Sequence, residues 1–126
     1  MNLNPFLLLC LTFTVFGCVS TPKQYLTQAP IEIKAEQLNQ YWQVSQQSSH
    51  FNINANFKTT SEKGEIQIRY LIDSNGNVFE PKIIKSIPVG VFDKAGLKAF
   101  AKMHFVKAIN NPDAIPVYYT MTINFG

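Results

Sequence analysis

The stretch GEIQIRYLIDSNGNVFEPKIIKS, residues 64–86, leaves this chain few architectures to choose from. Ile66, Ile68, Tyr70 and Ile72 recur at every second position, the period of a strand that buries one face. Asn75-Gly76 then tolerates positive φ at little cost and is among the strongest short hairpin signals. Val78 to Ser86 returns as a second strand, with Pro81 easier to place at a bulge than in a regular ladder. An antiparallel hairpin with one apolar face cannot stand alone in water, so other elements must cover that face.

The rest of the chain offers candidates for the cover. KAEQLNQYWQVSQQ, residues 34–47, carries Leu38, Tyr41, Trp42 and Ser45 at i, i+3, i+4 and i+7 and predicts a helix. Residues 48–63 are polar and turn-rich. Pro88 and Gly90 break the chain after the hairpin. VFDKAGLKAFAKMHF, residues 91–105, predicts a second helix with an apolar stripe of Phe92, Ala95, Ala99, Phe100 and Met103. Asp93 near its start is favoured by the positive end of the helix dipole. NNPDAIP reads as a loop, and VYYTMTINF, residues 117–125, is β-branched and aromatic, as strands are. The expected fold class is α+β: two helices packed on an antiparallel sheet of about three strands, in the order α-β-β-α-β, over residues 34–126.

The amino-terminal region reads as an address rather than as structure. Phe6 to Phe16 is apolar apart from two threonines. It is too short for a spanning helix of about 20 residues, and has the length of a signal-peptide hydrophobic region. The following VFGC resembles the bacterial lipobox: an aliphatic residue, a variable one, a small one and a cysteine. That resemblance implies a signal peptide over residues 1–17, cleavage before Cys18, and a lipid on its thiol. Val19 is not the Asp that typically retains lipoproteins in the inner membrane, so the outer membrane, facing the periplasm, is the expected location. Residues 18–33, with prolines and small polar residues, read as a tether.

Cysteine and charge counts narrow the chemistry. Cys10 leaves with the signal peptide and Cys18 is acylated, so neither a thiol enzyme nor a cysteine metal site is expected. All 11 Lys and Arg and all 8 Asp and Glu follow Cys18, a net charge of +3. That is short of a nucleic-acid footprint. His50 and His104 match no metal-ligand spacing, and no serine sits in a nucleophile elbow. Asp73 is explained by the turn and Asp93 by the helix start. The expectation is no enzyme, no metal and no cofactor. Lys94, Lys98 and Lys102, at i, i+4 and i+8, form a basic stripe on the second helix. It is either a solvated face or a surface for anionic lipid, cell wall or an acidic partner.

From Gly64 onward the ordered series of residues resembles the TonB C-terminal domain family. Gly64, the alternating Ile66-Ile68-Tyr70-Ile72, Gly76, Val78, Ser86, Phe92-Asp93, Ala95, Leu97, Ala99, Phe105, Ala108, Pro116-Val117 and Phe125 fall at the family's spacing. Met103 and Lys107 depart from it, standing where the family usually has Trp and Pro. The resemblance implies that the last strand, Val117, Tyr118, Tyr119, Thr120, Met121, Thr122, Ile123, Asn124 and Phe125, forms a sheet edge that receives an extended receptor peptide by β-augmentation. It also implies an envelope protein as partner, with a homodimer through edge strands as another use of the same edge. A lipid in one leaflet offers no helix for a motor to grip, so the chain alone is not expected to restore TonB-dependent uptake. The alternative expectation is a structural envelope lipoprotein that meets cell wall or anionic lipid through its basic helix face.

Overall fold

Alternation in residues 64–72 becomes a strand because one face is fully covered. In a computed structural model, which describes Gly17, residues 22–46 and residues 63–125, Ile66, Ile68, Tyr70 and Ile72 are at most 1% exposed. The elements in chain order are β1 (Ile31–Glu32), a 3-10 turn (Ala35–Gln37), α1 (Leu38–Tyr41), β2 (Trp42–Val44), β3 (Gly64–Ile72), β4 (Val78–Ile87), α2 (Asp93–Phe100), β5 (Phe105–Lys107) and β6 (Val117–Phe125). Four strands form one sheet in the order β1-β6-β3-β4, and β2 and β5 form a second, two-stranded one. The α+β class holds, while the described residues carry more strands than the expected three.

The hairpin turn is built as its residues suggest. Asp73 Oδ1 accepts from the amides of Asn75 and Asn77, at 3.0 and 2.9 Å. Gly76 takes φ +81°. A Cβ at Gly76 would lie 1.9 Å from the Phe105 carbonyl oxygen, so a side chain is excluded by sterics as well as by φ. Phe105 N–H donates to the Gly76 carbonyl at 2.8 Å, which fastens β5 to the turn. Two register shifts interrupt the β3–β4 ladder, and Pro81 lies beside them, with Glu80 at φ +52°.

Both helices are shorter than their sequence patterns suggest. The first, expected over 34–47, ends at Tyr41. Trp42 takes extended backbone, buries its ring, and donates its indole N–H to the Ile115 carbonyl at 2.8 Å. Continuing the helix would swing that ring away from the core, and β2 instead pairs with β5. The second helix, expected over 91–105, runs from Asp93 to Phe100. Gly96, Ala99 and Phe100 face the sheet, and a Cβ at Gly96 would come within 2.9 Å of Ile66 Cδ1, so helix and sheet are in direct contact. Past Phe100 the chain turns back to supply β5.

The region expected to be a tether over 18–33 is partly structural. Tyr25 N–H donates to Asp73 Oδ2 at 3.0 Å, Ser74 N–H to the Tyr25 carbonyl at 2.8 Å, and Thr27 N–H to Ser74 Oγ at 2.9 Å. Ile31 and Glu32 then pair with β6, and Ile33 enters the core. The aromatic centre of the core is Tyr70, whose ring lies 4.6, 5.5 and 6.1 Å from those of Phe100, Tyr119 and Phe105.

Candidate functional site

β6 pairs with β3 along its whole length, from Gly64 opposite Phe125 to Ile72 opposite Val117. Among the described residues, its other side is paired by a strand only at the start. β1 runs parallel to it and registers Ile31 with Val117 and Glu32 with Tyr118. The bonds that seat β1 fix which backbone groups point that way: Ile31 N–H donates to the Pro116 carbonyl and Ile33 N–H to the Tyr118 carbonyl, each at 3.1 Å.

In a strand, N–H and C=O of alternate residues point to opposite sides. If Pro116 and Tyr118 face β1, then Thr120, Thr122 and Asn124 face the same way, and Val117, Tyr119, Met121 and Ile123 bond to β3. Among the described residues no strand continues β1 past Glu32. Among the described residues, Thr120, Thr122 and Asn124 therefore present a row of backbone donors and acceptors that no strand pairs. The strand expected to be a sheet edge throughout is not one at Val117 and Tyr118, where two residues of the supposed tether pair with it, and beyond Tyr118 no described strand does.

The two faces beside that edge differ sharply. On the core side Tyr119 and Ile123 are buried and Met121 packs against the core. On the other side a band of polar side chains crosses all four strands. The Arg69 guanidinium forks onto Glu32, at 3.2 Å from Nε and 2.6 Å from Nη2, and lies 4.0 Å over the Tyr118 ring. Tyr118 Oη donates to Glu80 at 3.3 Å. The bond to Glu32 holds the Arg69 pKa above its ordinary value. Desolvation, and then the Glu80 charge, raise that of Tyr118. This band ties β1 to the sheet through side chains as well as backbone. On the same face Lys85 meets Glu65 at 2.9 Å and holds that carboxyl below its usual range.

The other expected site residues are dispersed. Cys18, like His50, lies outside the described residues. Lys94 and Lys98 are exposed, one turn apart on α2, whereas Lys102 is exposed beyond the helix end, so the stripe is two helical cations and one in the following turn. Asp73 serves the hairpin turn, and Asp93 accepts from the Ser86 hydroxyl. Among the described residues no group of His, Cys, Asp and Glu could hold a metal ion, and no helix is long and apolar enough to cross a membrane.

Two structural devices lay outside the sequence reading. One is Glu32-Arg69-Tyr118; the alternation IEI at 31–33 was its only local trace, inside a stretch dominated by prolines and polar residues. The other is Asn111, 1% exposed, whose side chain donates to the Tyr41 carbonyl and accepts from Ile115 N–H, each at 2.9 Å. It staples the loop before β6 to the end of α1.

Comparison with known proteins bears on this arrangement. No curated protein sequence matches the chain. Among solved structures, the solution NMR structure of the TonB C-terminal domain of Pseudomonas aeruginosa is similar at 22% identity and a TM-score of 0.46. That similarity covers 52% of this chain and 66% of the other, just under two thirds of its length. The model of the family described as Gram-negative bacterial TonB protein C-terminal matches residues 54–126, from ahead of β3 through β6. With that match extending over more than half of its length, the chain belongs to the TonB C-terminal family of Gram-negative envelope proteins.

Proposed function

We propose that this protein is a peptide-capture module of the cell envelope, lipid-anchored at Cys18 and binding an extended segment of an envelope protein along β6. Its work is binding rather than catalysis. The observation that carries the peptide reading is the run of outward-facing backbone groups at Thr120, Thr122 and Asn124, which continues the row that begins with Pro116 and Tyr118, the acceptors for Ile31 and Ile33. A guest strand bonding there needs no particular side chain for affinity, only an extended backbone. Because β1 fills the edge at Val117 and Tyr118, the guest has room for about five residues at roughly 3.3 Å each. Alternate guest side chains would lie beside Met121 and Ile123 on one face and Thr120, Thr122 and Asn124 on the other, which is where selectivity would arise.

The envelope address follows from the family, and the finer address from Cys18. Cleavage before it, acylation of its thiol and a short tether over residues 19–24 would hold the domain at the periplasmic face of the outer membrane. Titrating isotope-labelled Cys18→Ser chain with extended receptor segments should shift amide resonances along residues 119–125. Absence of such shifts with every segment that binds elsewhere would refute the edge reading. Metabolic palmitate labelling that persists in Cys18→Ala would refute the anchor.

A second reading, contact of the basic face with cell wall or anionic lipid, is supported by Lys94 and Lys98, both exposed and on one side of α2. Under it, reversing Lys94, Lys98 and Lys102 to Glu should abolish salt-sensitive sedimentation with either material.

A further inference from the structure

The turn between β4 and α2 carries apolar side chains where folded domains usually keep polar ones. Ile87, Val89 and Val91 are 50%, 90% and 50% exposed, and Ile84 on the adjoining strand is 52% exposed. The turn is also held in place. Gly90 N–H donates to Ser86 Oγ at 3.2 Å, Val91 N–H to the Pro88 carbonyl at 3.3 Å, and the Ser86 hydroxyl bonds to the Asp93 carboxylate. Val89 is therefore presented at the tip of a bonded turn. Single exposed apolar residues are ordinary; a cluster of them marks an interaction site.

The charges around the tip select the partner. Lys82 and Lys85 precede it, and Lys94 and Lys98 follow it, all exposed. Of the neighbouring acids, Glu65 is paired with Lys85, and Asp93 accepts from the Ser86 hydroxyl and keeps its charge, which leaves the lysines in excess. A second copy adding a strand to β4 is disfavoured by the features of that strand. Pro81, Glu80 at positive φ, two register shifts and outward lysines are the means by which edges resist pairing. An apolar tip flanked along the chain by exposed lysines instead matches the interface of an anionic bilayer, where apolar side chains enter the headgroup boundary and cations meet phosphates.

We infer that the β4–α2 turn is a membrane-docking tip, inserting Ile87, Val89 and Val91 into an anionic phospholipid surface with Lys94 and Lys98 on the headgroups. The inference deepens the basic-face reading, on which it rests, by naming the surface and the residues that enter it. It is compatible with peptide capture for a topological reason. In the order β1-β6-β3-β4, the docking tip adjoins one edge of the sheet and the open row of β6 faces the other. A domain seated on lipid by β4 would offer β6 to the periplasm.

The test places an environment-sensitive fluorophore at residue 89 of the full chain, using Val89→Cys with Cys10→Ser and Cys18→Ser. Its readout is local, so adsorption through residues 6–16 does not register. Mixed phosphatidylethanolamine and phosphatidylglycerol vesicles should shift its emission to the blue, phosphatidylcholine vesicles should not, and a fluorophore at Thr122→Cys should respond to neither. Lys94→Glu and Lys98→Glu should each weaken the response by at least about fivefold. An unresponsive label at residue 89, or an equal response on both vesicles, overturns the inference. If charge reversal lowers vesicle affinity while residue 89 stays in water, insertion alone fails. If charge reversal changes nothing, the basic-face reading falls with it.

Discussion

Proline substitution at two neighbouring positions of β6 separates the open side of the strand from its paired side. Proline has no N–H, so it removes a ladder bond where that group is used and costs little where the group faces outward. Thr122 shares the orientation of Pro116 and Tyr118, whose carbonyls accept from Ile31 and Ile33, so its N–H points away from β3. Met121, opposite Ile68, points toward β3 and its side chain packs against the core. Met121→Pro leaves a buried β3 acceptor unpaired, about 1–3 kcal/mol. It also deletes much of a partly buried side chain, so the total should reach about 3 kcal/mol or more. Thr122→Pro loses no ladder bond and should cost about 1 kcal/mol, the strain of fitting the ring to a strand. Denaturant unfolding of both variants gives the two stabilities, and peptide titration gives the second readout. Thr122→Pro should remain folded yet lose the edge-dependent resonance shifts. If Thr122→Pro unfolds the protein as severely as Met121→Pro, the assignment of inward and outward backbone groups is wrong. If it folds and binds peptide unchanged, β6 is not the capture edge.

Other substitutions test the scaffold. Asn111→Ala should lower stability by about 1–3 kcal/mol in chemical denaturation, since it leaves the Ile115 N–H without its acceptor while the Tyr41 carbonyl keeps its bond from Ala108 N–H. Gly76→Ala should cost about 3 kcal/mol or more in the same measurement, because its Cβ meets the Phe105 carbonyl at a position of positive φ. Arg69→Met should change global stability by less than about 1 kcal/mol, as its partner Glu32 is largely exposed, yet speed hydrogen exchange at the amides of Ile31 and Ile33 by loosening β1. Tyr70 Oη is buried with no hydrogen-bond partner among the described residues, and burial raises its pKa above the ordinary 10.0. The folded state thus holds this proton more tightly than the unfolded chain. The resulting stability is complete below about pH 10 and declines as pH rises past it. Tyr70→Phe should therefore be neutral or slightly stabilising at pH 7 and should flatten the alkaline fall in melting temperature.

Local signals and their limits divide this chain cleanly. The β3–β4 hairpin was legible because its information is short-range: a period of two, an Asn-Gly turn, and an acidic residue to bond the turn amides. The last strand was legible from β-branched and aromatic composition, and the second helix from its apolar stripe. Helix lengths were not, because each end is decided by a distant contact. Trp42 leaves α1 to reach Ile115, and the chain after Phe100 turns to lay β5 against the Gly76 turn.

The sequence by itself determined that one apolar face of a hairpin must be covered by other elements, with a helix and a further strand as candidates. Only the tertiary structure decided which strand lies beside which. Periodicity states which face of a strand is buried, never which neighbour shares its backbone bonds. Hence β1, two residues within an apparent tether, could take the first part of β6 and leave Thr120, Thr122 and Asn124 without a strand partner among the described residues. The candidate site is a row of backbone groups common to every residue type, and only pairing in three dimensions distinguishes those in use from those left free.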